Sequence, residues 1–198
     1  SFGLRAGPYA VAEQDRAVQA LGRQIDAVVV GQQPQIDERV RFAKGGEYSP
    51  FYDDIYLVTL APTPRSSLAA FQGSYIRNPD CYGKAGITWP PRTNKRFAPR
   101  ALPRGCAFGH KGPSIVGIEP EPWALLAALN SRVVSYLLSL GLGTAEAEGG
   151  AGANSYEVGL VQRIPVPRAL PADEELAEDS KRAWVASATA GLRDETSA

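Results

Sequence analysis

Five consecutive residues, Arg92-Thr93-Asn94-Lys95-Arg96, put two guanidiniums, an ammonium, a carboxamide and a hydroxyl on one short stretch of chain. All are donors suited to phosphates or to base edges, and Arg in particular grips phosphate or guanine through two N–H groups at once. The preceding Trp89-Pro90-Pro91 pre-sets the backbone and lowers the entropy lost on ordering such a loop. The cluster belongs to a longer basic stretch. From Cys81 to Ile118 there are seven Lys or Arg (Lys84, Arg92, Lys95, Arg96, Arg100, Arg104 and Lys111) and no Asp or Glu. All 21 acids of this formally neutral chain lie elsewhere. One sign of charge gathered inside a neutral protein is the electrostatic footprint expected for a polyanion. A solvated surface balanced by acids from other segments would give the same count. Lys44 with Gly45–Gly46, and Lys111 with Gly112, each have two readings: backbone N–H groups offered to a phosphate, or an ordinary turn.

Groups suited to catalysis are sparse. His110, the only histidine, has no evident nucleophile or carboxylate partner and reads as a surface-loop residue. Cys81 and Cys106 belong to no Cys-x-x-Cys pair, so they read as reduced thiols of a cytoplasmic protein, and no metal site is expected. Asp53–Asp54 and Glu174–Glu175 read as a turn and a helix start. Asn78-Pro79-Asp80-Cys81-Tyr82 has the flavour of the Asn-Pro-Pro-aromatic loop of adenine methyltransferases but lacks its second proline, and reads as a turn. No Gly-x-Ser-x-Gly, His-Glu-x-x-His or phosphate-binding-loop pattern occurs. Trp89 is expected in the core rather than as a wedge against sugar or base. Asn130 is expected to be a structural hydrogen-bond bridge, and Tyr156 and Gln162 structural strand residues.

The elements that must position these groups follow from composition and pattern. At 198 residues with 44% hydrophobic content, the chain is long enough for one domain with an added helical segment. It opens at Ser1 and contains no methionine, which reads as part of a longer protein. No apolar run approaches the length of a membrane helix. A helix and strand are predicted over Ala10–Val30, a loop over Gly31–Asp37, and short strands at Arg39–Phe42, Ile55–Leu60, Gly86–Trp89, Phe97–Leu102, Cys106–Gly109 and Ser114–Ile118. Ala61–Ser67 is a connector, and Phe71–Arg77 is either strand or short helix. The clearest helix is Pro122–Leu140, with one broad apolar face. Thr144–Ala153 is a Gly/Ala/Glu connector, Tyr156–Ile164 reads as a strand, and Asp173 starts a helix to about Ala190 with acids in its first turn. The expected class is α+β, a mixed irregular β-sheet with packed helices.

Motifs in order carry a family resemblance: FAKGGEYSPFYDDIYLV (Phe42–Val58), GITWPPRT (Gly86–Thr93), LPRGCAFGHKGP (Leu102–Pro113), LLAALNSRVVSYLL (Leu125–Leu138), SYEVGLVQRIPVP (Ser155–Pro167), and a closing Lys181–Trp184 with Asp194–Ala198. This series resembles the target-recognition region of large adenine-N6 DNA methyltransferases of phage-defence and restriction systems, of the BREX (PglX-type) and single-chain type II restriction–methylation families. The resemblance runs from about residue 40 to the end of the chain. It implies a target-recognition domain over 1–168, with 1–40 as a helix–strand lead-in, and a helical extension or spacer start over 169–198. It implies double-stranded DNA as partner, and the charge and donor chemistry of the residues themselves makes Lys44, Lys84, Arg92, Thr93, Asn94, Lys95, Arg96, Arg100, Arg104 and Lys111 the DNA-binding candidates. S-adenosylmethionine and the catalytic residues would then belong to an amino-terminal methyltransferase domain of the parent chain. This segment would hold no cofactor and perform no catalysis of its own. Two other readings compete: a docking module for other subunits of a defence complex, through the apolar face of Pro122–Leu140 and the acidic last helix, and a metal-dependent nuclease.

Overall fold

Proline and glycine cut the middle of the chain into strands of two to five residues, and these strands pair in small groups. The computed structural model describes residues 39–62, 76–142 and 153–196, all within the unit from Pro34 to Ala198. The expected elements at Ala10–Val30 and Gly31–Asp37, most of Phe71–Arg77 and most of Thr144–Ala153 lie outside the described residues.

β1 (Arg39–Ala43) is the middle strand of one sheet. It pairs antiparallel with β2 (Val58–Leu60; Arg41 opposite Val58), and its other edge runs parallel to β6 (Cys106–Phe108; Ala43 opposite Phe108). A second sheet centres on β3 (Gly86–Thr88), flanked antiparallel by β5 (Arg100–Leu102) and β7 (Ser114–Val116). β4 (Arg92–Thr93) pairs antiparallel with β8 (Asn154–Ser155). With these small sheets and four α-helices among the described residues, the class is α+β. Several strands are shorter than the sequence predicts. Phe97–Leu102 contracts to Arg100–Leu102, consistent with Pro99, which has no N–H to give to a ladder.

The core gathers Ile87, Trp89, Phe97, Leu125, Leu126, Leu129 and Tyr156 between the β3 sheet and the helices. Burying each such large side chain contributes about 1.5–3 kcal/mol. Trp89 is buried as expected, and its indole N–H donates to the Tyr156 carbonyl at 2.8 Å, so the ring's one polar atom is satisfied. Phe97 packs between the two rings, edge-on to Trp89 at 5.7 Å and tilted against Tyr156 at 5.2 Å.

The single helix predicted over Pro122–Leu140 is two helices, α1 (Trp123–Leu129) and α2 (Arg132–Gly141), bent by 59°. The break has a local cause. Ser131 takes an extended conformation and its hydroxyl accepts from the Val134 N–H, starting α2 as an N-cap. Asn130 donates to the Leu126 carbonyl at 3.0 Å and across to Pro99 at 2.9 Å, the bridge expected of it. Apolar periodicity continues through the break, which hides it from a pattern search. Whereas α1 buries Ala124, Leu125, Leu126 and Leu129, α2 buries only Val134 and Leu138. Among the described residues no single helix is long and apolar enough to cross a membrane.

The strand predicted over Tyr156–Ile164 is also overturned. Pairing stops after the Tyr156 N–H bonds to the Pro91 carbonyl, and the chain turns into α3 (Val158–Val161), leaving Gln162 at a helix end. The alternation of Tyr156, Val158 and Leu160 mimics a strand, but only Tyr156 and Val161 are buried. After a 3₁₀ turn at Leu170–Ala172, Asp173 caps α4 (Glu174–Thr196) by accepting from the Leu176 N–H. This helix runs past the expected end at Ala190. Trp184 packs it edge-on against Trp123 (5.9 Å) and Tyr52 (5.7 Å), and Lys181 lies 3.6 Å from Glu121.

Candidate nucleic-acid interface

Three basic segments meet where the end of β1, the turn between β6 and β7, and the Pro-Pro entry to β4 come within glycine distance. The Gly45 N–H donates to the Lys111 carbonyl, and a side chain at Gly45 would run into that carbonyl and come within 3.2 Å of Pro91. A Cβ at Gly112 would stand 2.7 Å from the Ala43 carbonyl oxygen. Only glycine allows this approach. It draws Lys44, Lys111 and Arg92, the residue after Pro91, to one junction, and all three are exposed. The same bonding narrows the phosphate reading of these turns by taking up two of their N–H groups. The Gly45 N–H is taken by Lys111, and the Gly112 N–H by the Gly109 carbonyl at 2.9 Å, so neither is offered to a phosphate.

The 93–96 loop is pinned to this junction from two sides. Thr93 is buried, and its hydroxyl accepts from the Lys95 N–H at 3.1 Å, which makes it a scaffold residue rather than a contact. The Tyr156 hydroxyl donates to the Lys95 carbonyl at 3.2 Å. On the outside stands Tyr48. The Lys95 ammonium lies 5.2 Å from its ring centre, within cation–π range, and Arg96 donates to its hydroxyl at 3.4 Å. Arg92 and Asn94 are exposed and carry no side-chain hydrogen bond or ion pair among the described residues.

Arg100 is the basic residue that does not reach the surface. Only 2% exposed, it ion-pairs with Asp53 at 2.6 Å and donates to the carbonyls of Gly45 (2.9 Å) and Glu47 (3.4 Å). Burial raises the pKa of Asp53 and lowers that of Arg100, and in each case the partner's charge opposes the push. This guanidinium is therefore a peg through the 45–53 loop, which carries Tyr48, and it is withdrawn from any contact with a ligand. Its burial follows from register: Arg100, in β5, faces buried Thr88 of β3 and bridges to half-buried Phe51. Asp53, read from sequence as a turn residue, is its counter-charge, and Tyr48 is the anchor that the sequence leaves unmarked.

Lys84 and Arg104 form a separate, exposed pair. The Gly83 N–H bonds to the Cys106 carbonyl and the Gly105 N–H to the Gly83 carbonyl, both at 3.0 Å, which holds the two turns side by side. They flank the Gly86–Leu102 end of the β3–β5 ladder, whereas Arg92 leaves from the other end. Apart from Arg100, none of the seven basic residues between Cys81 and Ile118, nor Lys44, forms an ion pair with a described carboxylate. The closest acid to β4 along its pairing is Glu157, which accepts from Ser155, the register partner of Arg92.

Elsewhere, His110 lies on an exposed turn and Pro79–Cys81 is a 3₁₀ turn, both as expected. Both cysteines are free, and burial pushes the Cys106 thiol up to about 11. Among the described residues no three His, Cys, Asp or Glu side chains converge in a way that would hold a metal. Neither a protein-family model nor a curated protein matches the sequence.

Proposed function

We propose that this chain is the sequence-specific DNA-recognition module of a cytoplasmic, S-adenosylmethionine-dependent adenine-N6 methyltransferase of a phage-defence or restriction–modification system. The observation that carries the DNA part is the junction at Gly45, where exposed Lys44, Arg92, Lys95, Arg96 and Lys111 gather from three segments without ion pairs to described carboxylates. Unpaired surface cations brought together in this way suit a phosphate backbone, which supplies the salt-sensitive share of affinity and sets register. The methyltransferase part rests on the motif series from Phe42 to Ala198. The catalytic domain and its cofactor then lie in the parent chain on the amino-terminal side. Methylome sequencing of cells carrying the parent gene is the test. N6-methyladenine at one asymmetric motif is expected, lost or strongly reduced on Lys95→Ala/Arg96→Ala substitution. A genome without modified adenine refutes the methyltransferase assignment.

A second reading has its own observation. Val133, Tyr136, Leu137 and Leu140 follow helical i, i+3, i+4, i+7 spacing along α2 and are 68%, 63%, 38% and 64% exposed. A continuous apolar stripe in water fits docking of another protein. Leu137→Lys would abolish co-purification of a subunit while leaving DNA affinity unchanged if both faces operate. Loss of assembly with no DNA binding by the wild type would favour docking alone.

A further inference from the structure

We infer that Arg92, in β4, and Asn94, in the loop that follows it, are the residues that read bases, while Lys95 and Arg96 hold phosphates. This rests on the DNA-recognition reading above and divides labour within it. The division follows from what each side chain already holds. Lys95 lies over the Tyr48 ring and Arg96 donates to the Tyr48 hydroxyl. Reaching a base edge would break those contacts, whereas a phosphate is met at the surface without leaving them. Arg92 and Asn94 alternate with the buried Thr93, are exposed, and have no side-chain partner among the described residues. Their side chains are the two that extend freely, and they are chemically the two that base pairs reward. Arg pairs with guanine O6 and N7, and Asn with adenine N6 and N7, each through two hydrogen bonds. The scaffold under them is rigid: β4 is held by β8, Thr93 accepts from Lys95, and Tyr156 fastens the Lys95 carbonyl. Residues two apart on an extended chain are at most about 7 Å from each other. Duplex base pairs step by about 3.4 Å, so the two specified positions fall within two or three base pairs.

The experiment is selection of bound duplexes from a random-core library by the full-length protein, followed by sequencing, for wild type, Asn94→Ala, Arg92→Ala and Lys95→Ala. Asn94→Ala is expected to relax an adenine at one position, and Arg92→Ala a guanine within three base pairs of it. Each preference should fall roughly 5- to 100-fold. Lys95→Ala should keep the wild-type motif and weaken binding to every sequence alike. A wild-type motif left unchanged by both Asn94→Ala and Arg92→Ala overturns this inference and leaves DNA recognition standing. A wild type that enriches no motif overturns both. All of these side chains are exposed, so circular dichroism and melting temperature are expected to match the wild type.

Discussion

Removing Asp53 should destabilise the protein more than removing the arginine it pairs with, and removing both should cost less than removing Asp53 alone. The two side chains are 2.6 Å apart but unequally placed: the Arg100 side chain is 3% exposed and that of Asp53 36%. Asp53→Ala strands a guanidinium that still has the Gly45 and Glu47 carbonyls but no counter-charge. Breaking a buried pair in this way costs about 3–5 kcal/mol. In Arg100→Met, the freed carboxylate can turn to water, and the methionine stem fills most of the slot. The remaining penalty is mainly the Gly45 carbonyl left without its donor, about 1–3 kcal/mol for an unsatisfied buried acceptor. Asp53→Ala/Arg100→Met removes the stranded charge and should recover about 1–2 kcal/mol relative to Asp53→Ala. Urea unfolding followed by the fluorescence of the three tryptophans reads all four states, provided the denaturant slope stays constant. A double variant less stable than Asp53→Ala, or effects that simply add, would refute the account of Arg100 as a peg whose charge is held by Asp53.

Lys95→Ala and Lys111→Ala should each lower the slope of log affinity against log salt by about 0.9 for every duplex phosphate left without its cation, at unchanged thermal stability. An identical slope in both variants would take these lysines out of the interface. Burial holds the Cys106 thiol protonated up to about 11, against an ordinary value of 9.0. Iodoacetamide at pH 8 should therefore modify half-buried Cys81 first and reach Cys106 only after urea is added. Between pH 9 and about 11 the unfolded chain releases the Cys106 proton while the folded chain keeps it, so stability falls as pH rises through that window. Cys106→Ala should flatten that fall, and a pH profile that stays as steep would contradict the placement of this thiol in β6.

Local chemistry made part of the site legible and distance in the chain concealed the rest. Trp89 between β-branched neighbours and two prolines reads as core, and Asn130 on an apolar helix reads as a bridge, because one residue type in one environment decides each. The exposed cations of the 92–96 loop are likewise visible as a cluster. What failed needed tertiary knowledge. The break between α1 and α2 has the same apolar periodicity on both sides, so only the Ser131 cap and the Asn130–Pro99 bond reveal it. Arg100 looks like the other arginines until the register of β5 turns it inward towards Asp53, far earlier in the chain. Lys84 and Arg104 share the charge pattern of the Arg92 loop, yet the β3–β5 ladder sends them to its opposite end. A charge count along the sequence is blind to such folding.

Tyr48 separates the two contributions that the cation cluster makes to affinity, charge and order. Its ring lies under the Lys95 ammonium and its hydroxyl accepts from Arg96, while Arg100 pegs the loop that carries it. The two long side chains are thus partly ordered before any ligand arrives, and ordering one such chain on binding costs about 0.5–1.5 kcal/mol. Tyr48→Ala leaves every positive charge in place but frees both. Affinity for duplex DNA should fall by about 1–3 kcal/mol, roughly 5- to 150-fold, from this lost preorganisation. The salt slope should not move, because the number of phosphates neutralised is the same. Equilibrium binding of the full-length protein across a salt series reads both quantities at once. A shallower slope would mean that Tyr48 had been holding the lysine or arginine against phosphate, and an unchanged affinity would mean that the cations act as independent, freely moving charges.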